Sequence, residues 1–106
     1  MGTFMIFAEN LYLKAQNLLK LAEKSNFRIV TAESCTAGMI SALITEVPGS
    51  SAIYERGFIA YSNSSKTDIL GVPKHLIMTY GSVSKEVALC MAQGALLRSK
   101  SDIALR

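Results

Sequence analysis

The chain has 106 residues, of which half are hydrophobic and 18% are charged, and its formal net charge is +3. This length suits one domain with a hydrophobic core, and the composition excludes an intrinsically disordered chain. The eleven basic residues are scattered rather than interleaved with aromatic residues, so no nucleic-acid partner is expected. A weak positive field instead suits a small anionic ligand.

Targeting and cofactor signals are sparse. Cys35 and Cys90 have no metal-type spacing and predict no disulfide framework, which fits a reducing cytoplasm. Residues 1–7 are apolar but lack the basic leader and cleavage site of a signal peptide. No apolar run reaches the roughly 20 residues that span a membrane. We therefore predict a cytoplasmic protein of one domain (residues 1–106), with no membrane partner, no metal and no other cofactor.

The first half of the chain predicts helix, strand and helix. Residues 8–25 carry apolar side chains on one helical face and charged ones on the other. Residues 27–32 form a short, β-branched run typical of a buried strand. After a polar turn, residues 36–47 predict a second helix, which Pro48 and Gly49 end.

The second half continues the alternation of strands and helices. Such alternation predicts an α/β fold with a parallel sheet. The predicted elements are a strand over 57–61, short helices over 66–70 and 73–80, a helix over 85–99 capped by Ser84, and a strand that begins at 103.

The turn after the first strand carries the most reactive combination of residues. Ser34 sits between strand and helix, where a turn can expose a nucleophile. If residues 35–38 open the helix, their N–H groups could bind an oxyanion or a phosphate. Two alternatives stay open: Ser34 is only a helix cap that accepts from the N–H of Ala37, or Cys35 is the nucleophile, because a helix N-terminus favours the thiolate.

Four short motifs occur in a specific order and spacing. They are Thr-Ala-Glu-Ser-Cys-Thr-Ala-Gly (31–38), Pro-Gly-Ser-Ser (48–51), Glu-Arg-Gly-Phe-Ile-Ala-Tyr-Ser-Asn-Ser-Ser-Lys (55–66) and Gly-Ser-Val-Ser-Lys-Glu-Val (81–87). This succession resembles the CinA family, and within it the C-terminal domain that also occurs alone as nicotinamide mononucleotide deamidase. The likeness runs from about residue 8 to residue 105.

The resemblance implies a fold, a reaction and a catalytic set. The fold would be a three-layer α/β/α sandwich. The reaction would be hydrolysis of the carboxamide of nicotinamide mononucleotide, a small anionic nucleotide, to nicotinic acid mononucleotide and ammonia in pyridine nucleotide salvage. The family's catalytic residues correspond to Ser34, Tyr61 and Lys66.

Two features depart from the family pattern. Ala37 replaces a glycine, which matters if the backbone there needs a positive φ. The family also continues beyond the strand that begins near Asp102, so we expect a sandwich that is incomplete at its C-terminal end. A second copy would cover the open edge, which predicts a homo-oligomer.

The alternative function is an inactive binding or assembly module, while the scattered charge argues against a DNA-associated competence factor.

The chemistry of amide hydrolysis assigns roles to these residues. Ser34 would attack as the nucleophile, with Lys66 as its base and Tyr61 as a proton relay. A lysine accepts a proton only in its neutral form, which burial favours. Each residue also has an alternative interpretation. Tyr61 could be a strand residue that packs its ring, and Lys66 could be a solvated cation on a helix. His75 carries no surrounding motif and is expected to be exposed.

Five further residues are candidates for substrate binding. Cys35, Thr36 and Gly38 could contribute N–H groups, or could simply start a helix. Arg56 could bind a phosphate, or could pair with a neighbouring glutamate. Asn63 could hydrogen-bond a carboxamide, or could make an Asx turn.

Overall fold

The computed structural model describes residues 7–106. Residues 1–6, on which most of the signal-peptide argument rests, lie outside the described part. The elements in chain order are α1 (Glu9–Ser25), β1 (Ile29–Glu33), α2 (Met39–Glu46), a short 3-10 helix (Ser50–Ala52), β2 (Tyr54–Ile59), α3 (Asn63–Leu70), α4 (Lys74–Tyr80), α5 (Lys85–Leu97) and β3 (Ile103–Leu105).

The three strands of the described chain form a parallel sheet in the order β2-β1-β3. The chain runs from β1 through α2 to β2, and then returns across β1 through α3, α4 and α5 to β3. Because parallel crossovers are right-handed, two connections that run in opposite directions place their helices on opposite faces of the sheet. The predicted α/β fold with helical layers on both faces is confirmed.

The central strand β1 supplies the core of both layers, and all of its residues are buried. Alternate side chains of a strand point to opposite faces. Ile29 packs with α1 and α2, whereas Val30 and Ala32 pack with α3, α4 and α5. Each fully buried aliphatic side chain stabilises the fold by roughly 1.5–3 kcal/mol. Other buried apolar side chains on the α5 face include Leu70, Val72, Val87 and Met91.

One predicted boundary is wrong in a way that affects the site. Helix α2 begins at Met39 rather than at residue 36. The two preceding residues are in the left-handed region, with φ of 51° at Ala37 and 99° at Gly38, and a right-handed helix cannot pass through them. The residues before Met39 are therefore a turn and not the first turn of a helix.

The other boundaries move by a few residues. Strand β2 begins at Tyr54, three residues before the predicted start, and α3 begins at Asn63 because Ser62 caps it. The cap of α5 is the one predicted: the Ser84 hydroxyl accepts from the N–H of Val87 at 3.1 Å. In residues 7–106, no helix has the length and apolar character needed to cross a membrane.

Candidate functional site

The candidate site lies at the carboxyl edge of the sheet, between β1 and β3. Ser34 directly follows β1, and Arg106 directly follows β3. The connection that leaves the carboxyl end of β1 runs to β2, away from β3, which leaves a crevice between the carboxyl ends of β1 and β3. Ligands of open parallel sheets bind at such a crevice.

A pocket of about 170 Å³ occupies this crevice on the α5 face. Ala32, Ala88 and Met91 form its apolar floor, and Arg106 brings a cation to its wall. Ser34, which is half-buried, lies in this pocket. The remaining lining residues are Glu33, Cys35, Thr36, Ser82, Val83 and Ser84.

The turn between β1 and α2 is tied together by Glu33. Its Oε1 atom accepts from the N–H groups of Gly38 (3.1 Å) and Ile40 (2.8 Å). Its Oε2 atom accepts from the N–H (3.0 Å) and the hydroxyl (2.6 Å) of Ser41. The carboxylate thus does for α2 what an N-cap side chain does for other helices, from a position on the preceding strand.

The pKa of Glu33 is lower than its ordinary value. Burial opposes this shift, since the side chain is only 1% exposed and burial disfavours the charged form. The Ser41 hydroxyl and the N–H groups of Ile40 and Ser41 outweigh burial, because they stabilise the ionised carboxylate. Glu33 is therefore a buried anion at neutral pH.

Three hydroxyl groups extend this network along the α2 face of β1. The Thr31 hydroxyl lies 2.8 Å from that of Ser41 and 3.0 Å from that of Tyr54. The Tyr54 hydroxyl donates to Ser41 Oγ at 2.9 Å. Gly57 leaves room for them, since a Cβ at this position would lie 2.5 Å from Thr31 Oγ1 and would also overlap the Tyr54 hydroxyl. Ser41 is consequently oriented toward Glu33.

Fewer N–H groups of the turn are free than the sequence predicted. The Ala37 N–H donates to the Ser34 carbonyl at 3.0 Å, and the Gly38 N–H is held by Glu33. Gly38 therefore cannot offer its N–H to a substrate as proposed. Among residues 7–106, the N–H groups of Cys35 and Thr36 have no hydrogen-bond partner. These two remain available for an oxyanion.

Lys66 is buried, with 2% exposure, contrary to its interpretation as a solvated cation. Its Nζ atom donates to the carbonyl oxygen of Ser82 at 3.0 Å. Ser82 lines the pocket that contains Ser34. The structure therefore connects Lys66 to the pocket wall through Ser82.

Tyr61 lies at the same edge of the sheet but is 73% exposed, so its ring is not packed as a strand residue. The Ala60 N–H donates to the Glu33 carbonyl at 2.9 Å, which extends the pairing of β1 and β2 just to these residues. In the register of these two strands Glu33 lies opposite Ile59, so Ser34 is level with Ala60, and Tyr61 lies one residue beyond it. Tyr61 does not line the pocket itself.

Arg56 is not brought to the pocket. Its Nε atom pairs with Glu55 at 2.7 Å, and its Nη1 donates to the carbonyl of Arg98 at 3.3 Å. Arg98 ends α5, whereas the pocket lies at the helix start near Ser84. At 1.5 Å per residue these two ends of α5 are about 20 Å apart. The pairing with a neighbouring glutamate is the alternative that the structure supports.

Asn63 and His75 do not line the pocket that contains Ser34. Asn63 is exposed at the start of α3 and lines a separate pocket with Lys74 and Met78. His75 is exposed on α4, as expected. Within residues 7–106, no group of three or more His, Cys, Asp or Glu side chains could hold a metal ion.

The sequence interpretation missed Glu33, Ser82 and Arg106. A signal existed for two of them. Glu33 comes immediately before the turn and could have been read as a cap for the following helix. Arg106 follows a parallel strand, and the carboxyl ends of parallel strands share one edge. No local pattern marked Ser82, because its contribution is a backbone carbonyl.

Comparison with known families identifies the domain. The sequence model of the CinA C-terminal domain matches residues 12–106. The chain belongs to the CinA C-terminal domain family. Curated relatives include the CinA-like protein of Colwellia psychrerythraea, which is 43% identical over 91 residues covering 86% of this chain. The CinA-like protein of Chlorobium phaeobacteroides is 51% identical over 82 residues, or 77% of this chain.

Solved structures of the CinA superfamily share the fold. The competence/damage inducible protein CihA from Agrobacterium tumefaciens has a TM-score of 0.92 and 40% identity, and the match covers 95% of this chain and 61% of that one. A CinA superfamily protein from Escherichia coli has a TM-score of 0.87 and 27% identity, covering 94% of this chain and 59% of that one. The chain spans 21% and 20% of the two curated CinA-like proteins named above.

Proposed function

We propose that this CinA C-terminal domain hydrolyses the carboxamide of nicotinamide mononucleotide, giving nicotinic acid mononucleotide and ammonia. The observation that carries the proposal is the position of Ser34. It lies in a pocket at the carboxyl edge of the sheet, and the wall of that pocket includes Ser82, to which the buried Lys66 is hydrogen-bonded. A serine and a buried lysine are a known combination for amide hydrolysis.

The residues divide the reaction into two steps. Ser34 Oγ attacks the carboxamide carbon and passes its proton to the Lys66 side chain as the general base, with Tyr61 as the relay. The oxyanion that forms is stabilised by the N–H groups of Cys35 and Thr36. The C–N bond then breaks, Lys66 returns the proton to the leaving nitrogen as ammonia departs, and water hydrolyses the acyl-serine ester to the carboxylate.

The pocket has the character that this substrate requires. Its floor of Ala32, Ala88 and Met91 is apolar and can pack against a flat aromatic ring. Arg106 supplies a cation that can pair with an anionic group of the nucleotide. In this proposal Arg106 takes the role that sequence reasoning gave to Arg56.

The test is release of ammonia from nicotinamide mononucleotide by the folded chain. We expect Ser34→Ala to abolish release, and Ser51→Ala, an exposed serine outside the pocket, to retain it. Cys35→Ala should also retain activity. If Cys35→Ala abolishes ammonia release and Ser34→Ala does not, the nucleophile is Cys35. A folded wild-type chain with no turnover would overturn the proposal.

The alternative, a binding or assembly module, predicts a different outcome. Such a module would bind nicotinamide mononucleotide, or associate with itself, without releasing ammonia. In the described residues β2 and β3 are the two edge strands of the sheet. An unpaired edge strand can pair with a second copy of the chain, and a homo-oligomer stays a prediction. Light scattering on the same samples separates an oligomer from a monomer whatever the activity assay gives.

A further inference from the structure

We propose that Glu33 is a positioning residue: its carboxylate anchors the turn that carries Ser34, and thereby aims Ser34 into the pocket. The inference rests on the proposed function for its consequence in catalysis. Its structural part stands on hydrogen bonds that join the end of β1 to the start of α2.

The anchor uses both oxygens of the carboxylate. Oε1 accepts from Gly38 and Ile40, and Oε2 accepts twice from Ser41, at distances of 2.6 to 3.1 Å. Hydrogen bonds to an ionised acceptor are about twice as strong as those between neutral groups. Gly38, which occupies the usual capping position, has no side chain with which to replace them. Glu33 is thus the side chain that holds the first N–H groups of α2.

The anchor also decides which way Ser34 points. Successive side chains of a strand face opposite sides of the sheet. Glu33 is held on the α2 side by its bonds to Ser41, so the next residue, Ser34, faces the α5 side. The pocket with Ala88 and Met91 lies on that side. Release of Glu33 would remove the constraint that holds Ser34 against this pocket.

The donors are themselves held in place. Ser41 Oγ, which donates to Glu33 at 2.6 Å, is contacted by the hydroxyls of Thr31 and Tyr54. This network does not use the backbone N–H groups of Cys35 and Thr36, which have no partner among residues 7–106. Anchoring at Gly38 therefore leaves the two N–H groups nearest to Ser34 free for an oxyanion.

The test uses Glu33→Gln, which keeps the shape of the side chain but replaces one accepting oxygen by a donor. Amide hydrogen exchange measured by NMR should accelerate about tenfold or more at Gly38, Ile40 and Ser41. Loss of one hydrogen bond is expected to change the exchange rate by about this factor. Met91 in the buried face of α5 is the reference, and its exchange should accelerate by no more than the loss of global stability measured by urea unfolding accounts for. In the ammonia assay kcat should fall by about tenfold while KM stays within about twofold, because distorted positioning acts on the transition state.

The matched control is Glu23→Gln, an exposed glutamate of α1, which should change neither exchange nor kcat. Unchanged exchange at the three amides would overturn the proposal, as would faster exchange with an unchanged kcat. If Glu33→Gln does not fold, Ser41→Ala removes only the hydroxyl donor and should shift both quantities in the same direction by a smaller factor. Should the wild type release no ammonia, the proposed function fails, and the exchange data alone decide whether Glu33 anchors the turn.

Discussion

The Nζ atom of Lys66 donates a hydrogen bond of 3.0 Å to the carbonyl oxygen of Ser82. This contact joins α3 to the loop before α5, and it does so with a lysine that is almost fully buried. A buried lysine is uncommon unless it is paired or functional. Its partner is a neutral carbonyl that lines the Ser34 pocket, which makes Lys66 the most informative residue to change.

Lys66→Met should abolish ammonia release without unfolding the domain. Methionine keeps the apolar stem and removes the terminal nitrogen, so the proposed base is lost while little packing changes. General-base residues contribute about a hundredfold or more to rate. Lys66→Arg should not restore activity, because an arginine stays protonated.

The readouts for this prediction are ammonia release and urea unfolding on the same sample. Lys74→Met, at an exposed position of α4, is the control and should behave as the wild type. Activity of a folded Lys66→Met variant near the wild-type level would remove Lys66 from the catalytic set.

Ala37→Gly should stabilise the domain. Ala37 has a φ of 51°, a left-handed conformation that costs an L-residue with a Cβ about 1–2 kcal/mol. Glycine adopts this conformation freely, but it also gains entropy in the unfolded chain, so the net gain should be about 1 kcal/mol or less. The midpoint of urea unfolding measures it.

The control for this substitution makes the same chemical change elsewhere. Ala42→Gly lies on the exposed side of α2, where glycine should destabilise by roughly 0.5–1 kcal/mol. We expect Ala37→Gly to raise the free energy of unfolding and Ala42→Gly to lower it. A loss of stability at both positions would mean that the left-handed conformation of Ala37 is not strained.

Glu33 should make the domain sensitive to acid. Its pKa in the folded state lies below the ordinary value of 4.5, because hydrogen bonds from Ser41 and Ile40 outweigh the effect of burial. A group with a lowered folded pKa stabilises the fold above its unfolded pKa, and that contribution is lost as pH falls through the folded pKa. Stability of the wild type should therefore drop below about pH 4.5.

Glu33→Gln isolates this contribution. The variant should be less stable at pH 7 by about 2 kcal/mol, since buried donors lose their acceptor. The difference from wild type should shrink on acidification, as the protonated glutamic acid comes to resemble glutamine. Glu55, whose pKa is lowered by its hydrogen bond to Arg56, is present in both proteins and cancels. A constant difference across the pH range would contradict the assignment.

Gly94→Ala should destabilise the domain by about 1–3 kcal/mol or more. Gly94 is buried on α5, and a methyl group there would overlap the carbonyl oxygen of Leu70 at the end of α3. A backbone atom cannot rotate away, so α3 and α5 would have to separate. Gln93→Ala, on the exposed side of the same helix, should be nearly neutral in urea unfolding. Equal effects at the two positions would mean that the helices are not in close contact at Gly94.

Hydrophobic periodicity was enough to predict the α/β alternation and most helices, because it reflects which face is buried. The turn at Ala37 was mispredicted for a physical reason. Alanine is the best helix former, so its left-handed conformation at this position cannot be read from local preference. The Glu33 carboxylate accepts from the N–H groups of Gly38 and Ile40, just beyond Ala37, and helix propensity does not describe such side-chain bonds.

The site was predicted unevenly. Residues close together in sequence, such as Ser34 and its turn, were identified because the strand-turn-helix pattern is local. Arg56 was not excluded, because its distance from the pocket depends on the length and direction of α5. The burial of Lys66 is likewise a tertiary property, since lysine is on average an exposed residue.

The position of β1 in the middle of the sheet has a consequence for how the chain acquires its fold. One neighbour of β1 begins at Tyr54, but the other begins at Ile103, and the Arg28 N–H bonds to Asp102 across 74 residues. Pairing over such separations is slow because a long loop must close first. During synthesis, β1 therefore stays half-paired until β3 has left the ribosome, and a nascent chain paused before Ile103 would present an unpaired strand edge that chaperones could bind.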